Sequence, residues 1–138
     1  MTTPTSGPAI VDNYLAYLKR NITVKQIGDV VEVTLPFWDL HRDHLQVYVQ
    51  KKNDRYLVSD DGYTLSDLRQ SGVSVESEQS RLAFTAILQS FGVTRAGNKL
   101  HIESSQDDLP RSQHNLVQAM LALNDWGSAT LKKRRNRI

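Results

Sequence analysis

The chain contains no cysteine. Disulfide bonds and thiolate metal sites are therefore excluded, although this alone does not assign a compartment. No apolar run approaches the roughly 20 residues that a membrane-spanning helix needs. The N-terminal stretch MTTPTSGP has neither a basic region nor an apolar one, so no secretory signal is expected and cytoplasmic residence is the default. There is no Gly-rich phosphate loop, no Ser/His/Asp elbow and no dinucleotide fingerprint. Acid is missing from the last seven positions, where Lys132, Lys133, Arg134, Arg135 and Arg137 cluster.

What remains is a chain of 138 residues, 39% hydrophobic and 23% charged, which suits one soluble domain with a real core. Its net charge of +2 conceals an asymmetry. Taking the five terminal bases from 17 leaves 12 against 15 acidic residues, so the body carries −3 and the tail +5. A block of like charge repels itself and stays disordered until it meets an anionic partner. The reading is therefore a flexible arm over 1–8, a single domain over 9–127 and a basic flexible tail over 128–138.

Within the domain, Ile10, Val11, Tyr14, Leu15 and Leu18 recur at helical spacing and form one apolar stripe. The period then changes to two. Segments around Val24, Val33, Val47 and Leu57 alternate, separated by Gly28-Asp29, the polar run WDLHRDH and Lys52-Asn53-Asp54. This predicts a four-stranded antiparallel meander. A short helix follows with Leu65 and Leu68, ended by Gly72. A second helix runs over 78–91 and a hairpin turns at Gly97-Asn98. A last helix starts at Pro110 and closes near Trp126-Gly127. The expected fold class is α+β: an antiparallel sheet of about four strands covered by helices, with a helix–helix–hairpin subdomain.

The sharpest pattern is YLVSDDGYTLSDLRQSG, residues 56–72. Neighbouring strand residues point to opposite faces, so Asp60 and Asp61 share a metal site only if the strand has already ended. Asp-Gly is a turn dipeptide. Thr64 is placed to cap the helix, and Asp67 to meet its dipole. A strand-to-helix joint is the simpler account, with Asp60 and Asp61 kept as a candidate functional acid pair.

That run, with RLAFTAILQSFGV and GNKLHIE after it, resembles the bacterial family labelled domain of unknown function 1828. The resemblance spans roughly Val30 to Trp126. It implies no activity, cofactor or catalytic residue. The family's occurrence in prophages and mobile elements implies a role in phage–host conflict.

Other constellations point to chemistry less directly. Asp39, His41, Asp43 and His44 lie in one loop, but His at a spacing of three without further ligands does not make a zinc site. Gln50-Lys51-Lys52 preceded by Asp39 follows the spacing of a restriction-type nuclease, without a second carboxylate for the metal. Residues 65–103 read helix, turn, helix, hairpin, the layout of a winged helix. Its recognition helix offers Gln79, Ser80, Arg81, Thr85 and Gln89, with one base among them; Arg95 and Lys99 sit on the hairpin. Phe37 and Trp38 are candidate partner-binding anchors, together with the five terminal bases. The expectation is a small non-enzymatic binding protein of a phage or mobile element. It needs no cofactor and no metal. It inhibits a bacterial defence complex, for example a CRISPR effector, by protein contact, with nucleic acid as a further partner of the tail. The alternatives are a winged-helix DNA-binding regulator and a metal-dependent nuclease.

Overall fold

The change from helical to alternating apolar spacing at Asn21 marks the first structural boundary. In a computed structural model, which describes residues 6–136, α1 spans Gly7–Arg20 and is capped at Asn21. The Ser6 hydroxyl starts this helix by accepting from the Ala9 N–H at 3.2 Å. Strands β1 (Thr23–Ile27) and β2 (Val30–Trp38) follow around Gly28, whose φ of +62° places it in the left-handed region a tight turn requires. β3 (His44–Lys52) and β4 (Arg55–Ser59) complete the meander. Helices α2 (Tyr63–Gln70) and α3 (Glu78–Ser90) come next, then β5 (Thr94–Ala96), β6 (Lys99–Ser104) and the long helix α4 (Leu109–Arg135).

The fold is α+β, and its sheet has six strands in the order β1-β2-β3-β4-β6-β5, all neighbours antiparallel. The two strands beyond the expected four are the hairpin at Gly97-Asn98. It is not a separate subdomain. β6 lies beside β4, with Ser59 opposite His101 and Tyr56 opposite Ser104. A lone alternating hairpin carries no mark of its neighbour. Burial of Leu100 beneath the helices makes the choice.

Register then sorts the side chains. Val31, Val33, Leu45, Val47, Val49, Val58 and Leu100 share one face. Leu65 and Leu68 of α2, Phe84 and Leu88 of α3, and Leu116, Met120 and Leu123 of α4 close the core over it. The other face carries a polar row. There the Gln46 side-chain amide donates to Thr34 Oγ1 at 3.1 Å, and the Tyr48 hydroxyl donates to Gln46 at 3.2 Å.

α4 does not close at Trp126-Gly127. It continues for about two more turns to Arg135. Gly127 acts as a packing residue: a Cβ there would lie 2.4 Å from Leu68 Cδ2 and 3.6 Å from Leu40 Cδ2. Beyond it, Leu131 packs against the core and the Arg134 guanidinium donates to the Gly72 carbonyl. Lys132, Lys133, Arg134 and Arg135 therefore form a helix end, not a flexible tail, and cations are favourable at that pole. Arg137 lies outside the described residues. At the other end, Gly7 and Pro8 belong to the first turn of α1, where Pro is tolerated, and not to an arm. Among the described residues, no helix is long and apolar enough to cross a membrane.

Gly127→Ala tests the packing role. Helix propensity alone predicts a gain of about 1 kcal/mol. The overlap with Leu68 is expected to prevail, with a net loss of about 1–3 kcal/mol in urea denaturation. A variant more stable than the parent would show that the two helices can separate without cost.

Candidate functional site

The acid pair resolves into two unlike residues. Asp60 is fully buried and its carboxylate accepts three backbone N–H groups: Gly62 at 2.9 Å, Thr64 at 3.0 Å and Leu100 at 2.9 Å. Its own N–H donates to the Leu100 carbonyl at 3.1 Å. Asp61 is exposed, has φ +58° and pairs with Lys99 at 3.4 Å. The side chains do not converge on a common site. Helix α2 is capped by Asp60, not by Thr64: Thr64 lies inside the helix and its buried hydroxyl has no partner. Asp67 lies beyond the first turn, so its place is set by tertiary contacts and not by the helix dipole.

The nuclease spacing is linear only. Gln50 lies opposite Val30, whereas Asp39 follows Trp38, eight residues further along β2. That is about 26 Å of strand. Gln50 instead donates to Asp29 at 3.0 Å. The winged-helix layout also dissolves. The hairpin lies within the sheet, and its bases are engaged: Arg95 sits 3.9 Å from Glu76 and 5.8 Å from the Phe84 ring centre, and Lys99 is held by Asp61.

The loop between β2 and β3 is where aromatic, cationic and acidic groups gather. Asp39 is buried and its Oδ1 accepts from the N–H groups of His41 at 2.8 Å and Asp43 at 2.9 Å. The Leu40 N–H donates to Asn124 of α4 at 3.0 Å, and Asn124 donates to the Met120 carbonyl at 2.7 Å. His41 Nε2 lies 2.7 Å from Ser71 Oγ and 3.2 Å from Asp67 Oδ1. The loop is thus pinned to both α2 and α4. Arg42 takes φ +64° at its tip.

This scaffold separates the two predicted anchors. Phe37 points to the helix-covered side, beside Val33, Leu35 and Val47. Trp38 is 58% exposed and packs against His44, with ring centroids 4.5 Å apart and the planes tilted by 54°. Two depressions flank it. One, of about 420 Å³, is shared with Arg42, His44 and Tyr63. The other, of about 650 Å³, is shared with Leu40, Arg42, Asp125 and Ser128. Lys132 and Arg135 follow Ser128 at helical spacings of four and seven, so the basic end of α4 extends the same flank. The sequence reading missed Arg42 and Tyr63. Their only signal is position: one sits at the tip of a loop, the other just after the turn Asp60 builds.

The electrostatics are those of a shielded acid cluster. The Tyr63 hydroxyl donates to Asp39 Oδ2 at 3.4 Å. Its pKa is pushed up to about 12, by burial of the hydroxyl first and then by the charges of Asp67, Asp39 and Asp43. Burial raises the Asp67 carboxyl above its ordinary 3.8; His41 pulls it down, while Asp39 and Asp43 add to the rise. Among the described residues, no three His, Asp or Glu side chains converge as a cation site.

Two tests follow from this geometry. Asp60→Ala leaves three N–H donors unpaired, two of them deep, and is expected to cost about 3–5 kcal/mol. Asp61→Asn, in a left-handed position that Asn accepts, should stay within about 0.5 kcal/mol of the parent. Equal losses in chemical denaturation would refute the division of labour. The second test is pH. Native Asp67 holds its proton more tightly than the unfolded chain does. Its contribution to stability is therefore full below 3.8 and lost as pH rises through the raised native value. Asp67→Asn should decline less steeply than the parent above about pH 4. Parallel curves would remove Asp67 from the linkage.

No curated protein and no solved structure matches the chain. Residues 35–123 match the family described as Domain of unknown function DUF1828. That region takes in the pinned loop, the Asp60 joint, the closing hairpin and most of α4, and it is well over half of the molecule, so the chain belongs to this family.

Proposed function

We propose that the protein is a cytoplasmic, non-enzymatic binding module acting by protein contact through the surface centred on Trp38. One observation carries this reading: an exposed tryptophan, braced on His44 and bordered by Arg42 and Tyr63, stands at the end of β2 beside a loop pinned by Asp39 and Asn124. Trp, Tyr and Arg are the residue types that dominate binding energy. A preformed loop avoids the ordering cost that a mobile one incurs on association. The basic flank of Lys132 and Arg135 complements an anionic region of the partner, whether acidic protein or nucleic acid held within a complex. The target class, a bacterial defence complex such as a CRISPR effector, follows from the family's association with prophages and mobile elements. The surface itself supports the contact, not the target's name. The DNA-regulator reading gains nothing from α3, whose exposed face carries Arg81 as its one base.

Trp38→Ala is the direct test. Its side chain is largely outside the core, so the melting temperature should change little, while a hot-spot tryptophan is worth at least about 2 kcal/mol, or roughly 30-fold in affinity. Tagged parent and variant are incubated with bacterial lysate with and without nuclease. The expected result is a protein partner that survives nuclease and is lost with the variant. A partner retained by Trp38→Ala, or nucleic acid alone lost on nuclease treatment, would overturn the proposal. Lys132→Gln with Arg135→Gln should slow association and leave dissociation nearly unchanged, because peripheral charge acts on encounter.

A further inference from the structure

The N-terminal helix is the least satisfied part of the molecule. α1 buries none of its residues, and Ile10, Val11, Tyr14 and Leu15 are each 54–57% exposed. They fall on one stripe at spacings of one, three and four residues. Such a helix has little reason to persist alone in water, since helices of this length draw their stability from packing an apolar face.

A matching surface lies on the same chain. α4 packs over β3, β4 and β6, and the sheet continues past it through β2 and β1. On the helix-covered side, register places Val24 beside Val33, in line with Val31, Leu35 and Phe37. Val24 is 65% exposed. Between β2 and α4 a depression of about 180 Å³ opens, lined by Val33, Leu35, Phe37, Val47 and Val117. α1 does not fill this shelf in its own chain. Only Ile22 separates its cap, Asn21, from the start of β1, so the helix stays tethered at the sheet edge.

We infer that this shelf is the docking site for α1 of a second copy of the chain, in a reciprocal two-fold dimer. A 14-residue helix is about 21 Å long and 10 Å wide. The five paired residues of β1 and β2 make a shelf about 10 Å wide and 17 Å long, which β2 continues alone for about 13 Å more. Two helices on two shelves engage four surfaces of about 200 Å² each in flat projection. That is about 800 Å² in sum, the range of a weak, concentration-dependent association. One chain carries both the inserted element and its receptor, which is the self-complementarity a two-fold interface demands. α1, β1 and most of β2 precede residue 35, so the inserted helix lies outside the family match, while the floor of its shelf at Leu35, Phe37, Val47 and Val117 lies within it.

Sedimentation velocity of the full chain, over a concentration series from micromolar upwards, tests this. The parent should sediment as a dimer. Leu15→Glu, on the helix, and Val24→Lys, on the shelf, should each sediment as a monomer with an unchanged circular dichroism spectrum. An equimolar mixture of the two variants should regain a dimer population at the upper concentrations. It retains one intact pair, the helix of the Val24→Lys chain on the shelf of the Leu15→Glu chain. A monomeric parent overturns the inference, as does a dimer insensitive to both substitutions. Loss of the dimer with Leu15→Glu but not with Val24→Lys, and no recovery on mixing, would assign the helix to pairing with itself. A monomeric parent that floats with phosphatidylglycerol vesicles through Leu15 would assign the stripe to a lipid surface.

Discussion

One buried carboxylate joins the two halves of the sheet. The chain leaves β4 at Ser59, makes the α2–α3 excursion, and must return β6 to the edge it left. Asp60 spans that gap in both directions. Its carboxylate holds the turn and the start of α2 through Gly62 and Thr64, and it accepts from Leu100 forty positions away. Its backbone N–H closes the same contact from the other side. A buried polar group is tolerated only when its partners are supplied, and here all of them are backbone groups that would themselves be orphans. Remove the carboxylate and the α2 start, the turn and the end of the β4–β6 ladder lose their donors' partners together.

Packing over that joint shapes the rest. Leu65 and Leu68 face inwards because α2 begins where Asp60 sets it. Leu68 then presses against α4 so closely that a Cβ at 127 would overlap its Cδ2. The same contact lets α4 pass α2 and reach Arg134 over to Gly72. The basic end of the chain thereby becomes a fixed flank beside the Trp38 loop. A locally unfavourable residue, glycine within a helix, is the condition for placing four cations in a defined position.

The surface divides by the same logic. The loop after β2 is pinned by Asp39, Asn124 and His41, and Trp38, Arg42 and Tyr63 border it. The N-terminal helix is presented without a partner, and its shelf is left open beside it. These are different kinds of exposure. The first is a surface of mixed aromatic and charged character beside a hydrogen-bonded loop. The second is an apolar stripe whose own fold depends on being covered.

Features set by short-range rules were legible in the amino-acid sequence. Gly28 and Gly72 take the positive φ that their turn positions called for. The alternation of Val31, Val33, Val47 and Val49 became one apolar face of the sheet, because strand periodicity is a property of the backbone. The strand-to-helix joint at Asp60-Asp61-Gly62 was readable for the same reason. What was not legible depended on partners distant in the chain. The third N–H bound by Asp60, the choice of β4 as neighbour of β6, and the packing use of Gly127 each involve residues tens of positions away. That Phe37 and Trp38 face opposite sides follows from strand alternation, but which of them meets solvent needed the knowledge of which face the helices cover. Asp39 and Gln50 were close in spacing and far apart in space, since a strand between two residues holds them at its opposite ends. The sequence by itself determined turns, periods and the apolar inventory, because these act over a few residues. Only the tertiary structure decided which carboxylate is buried, which tryptophan face meets solvent and where the terminal cations lie, because burial is set by the whole arrangement of elements.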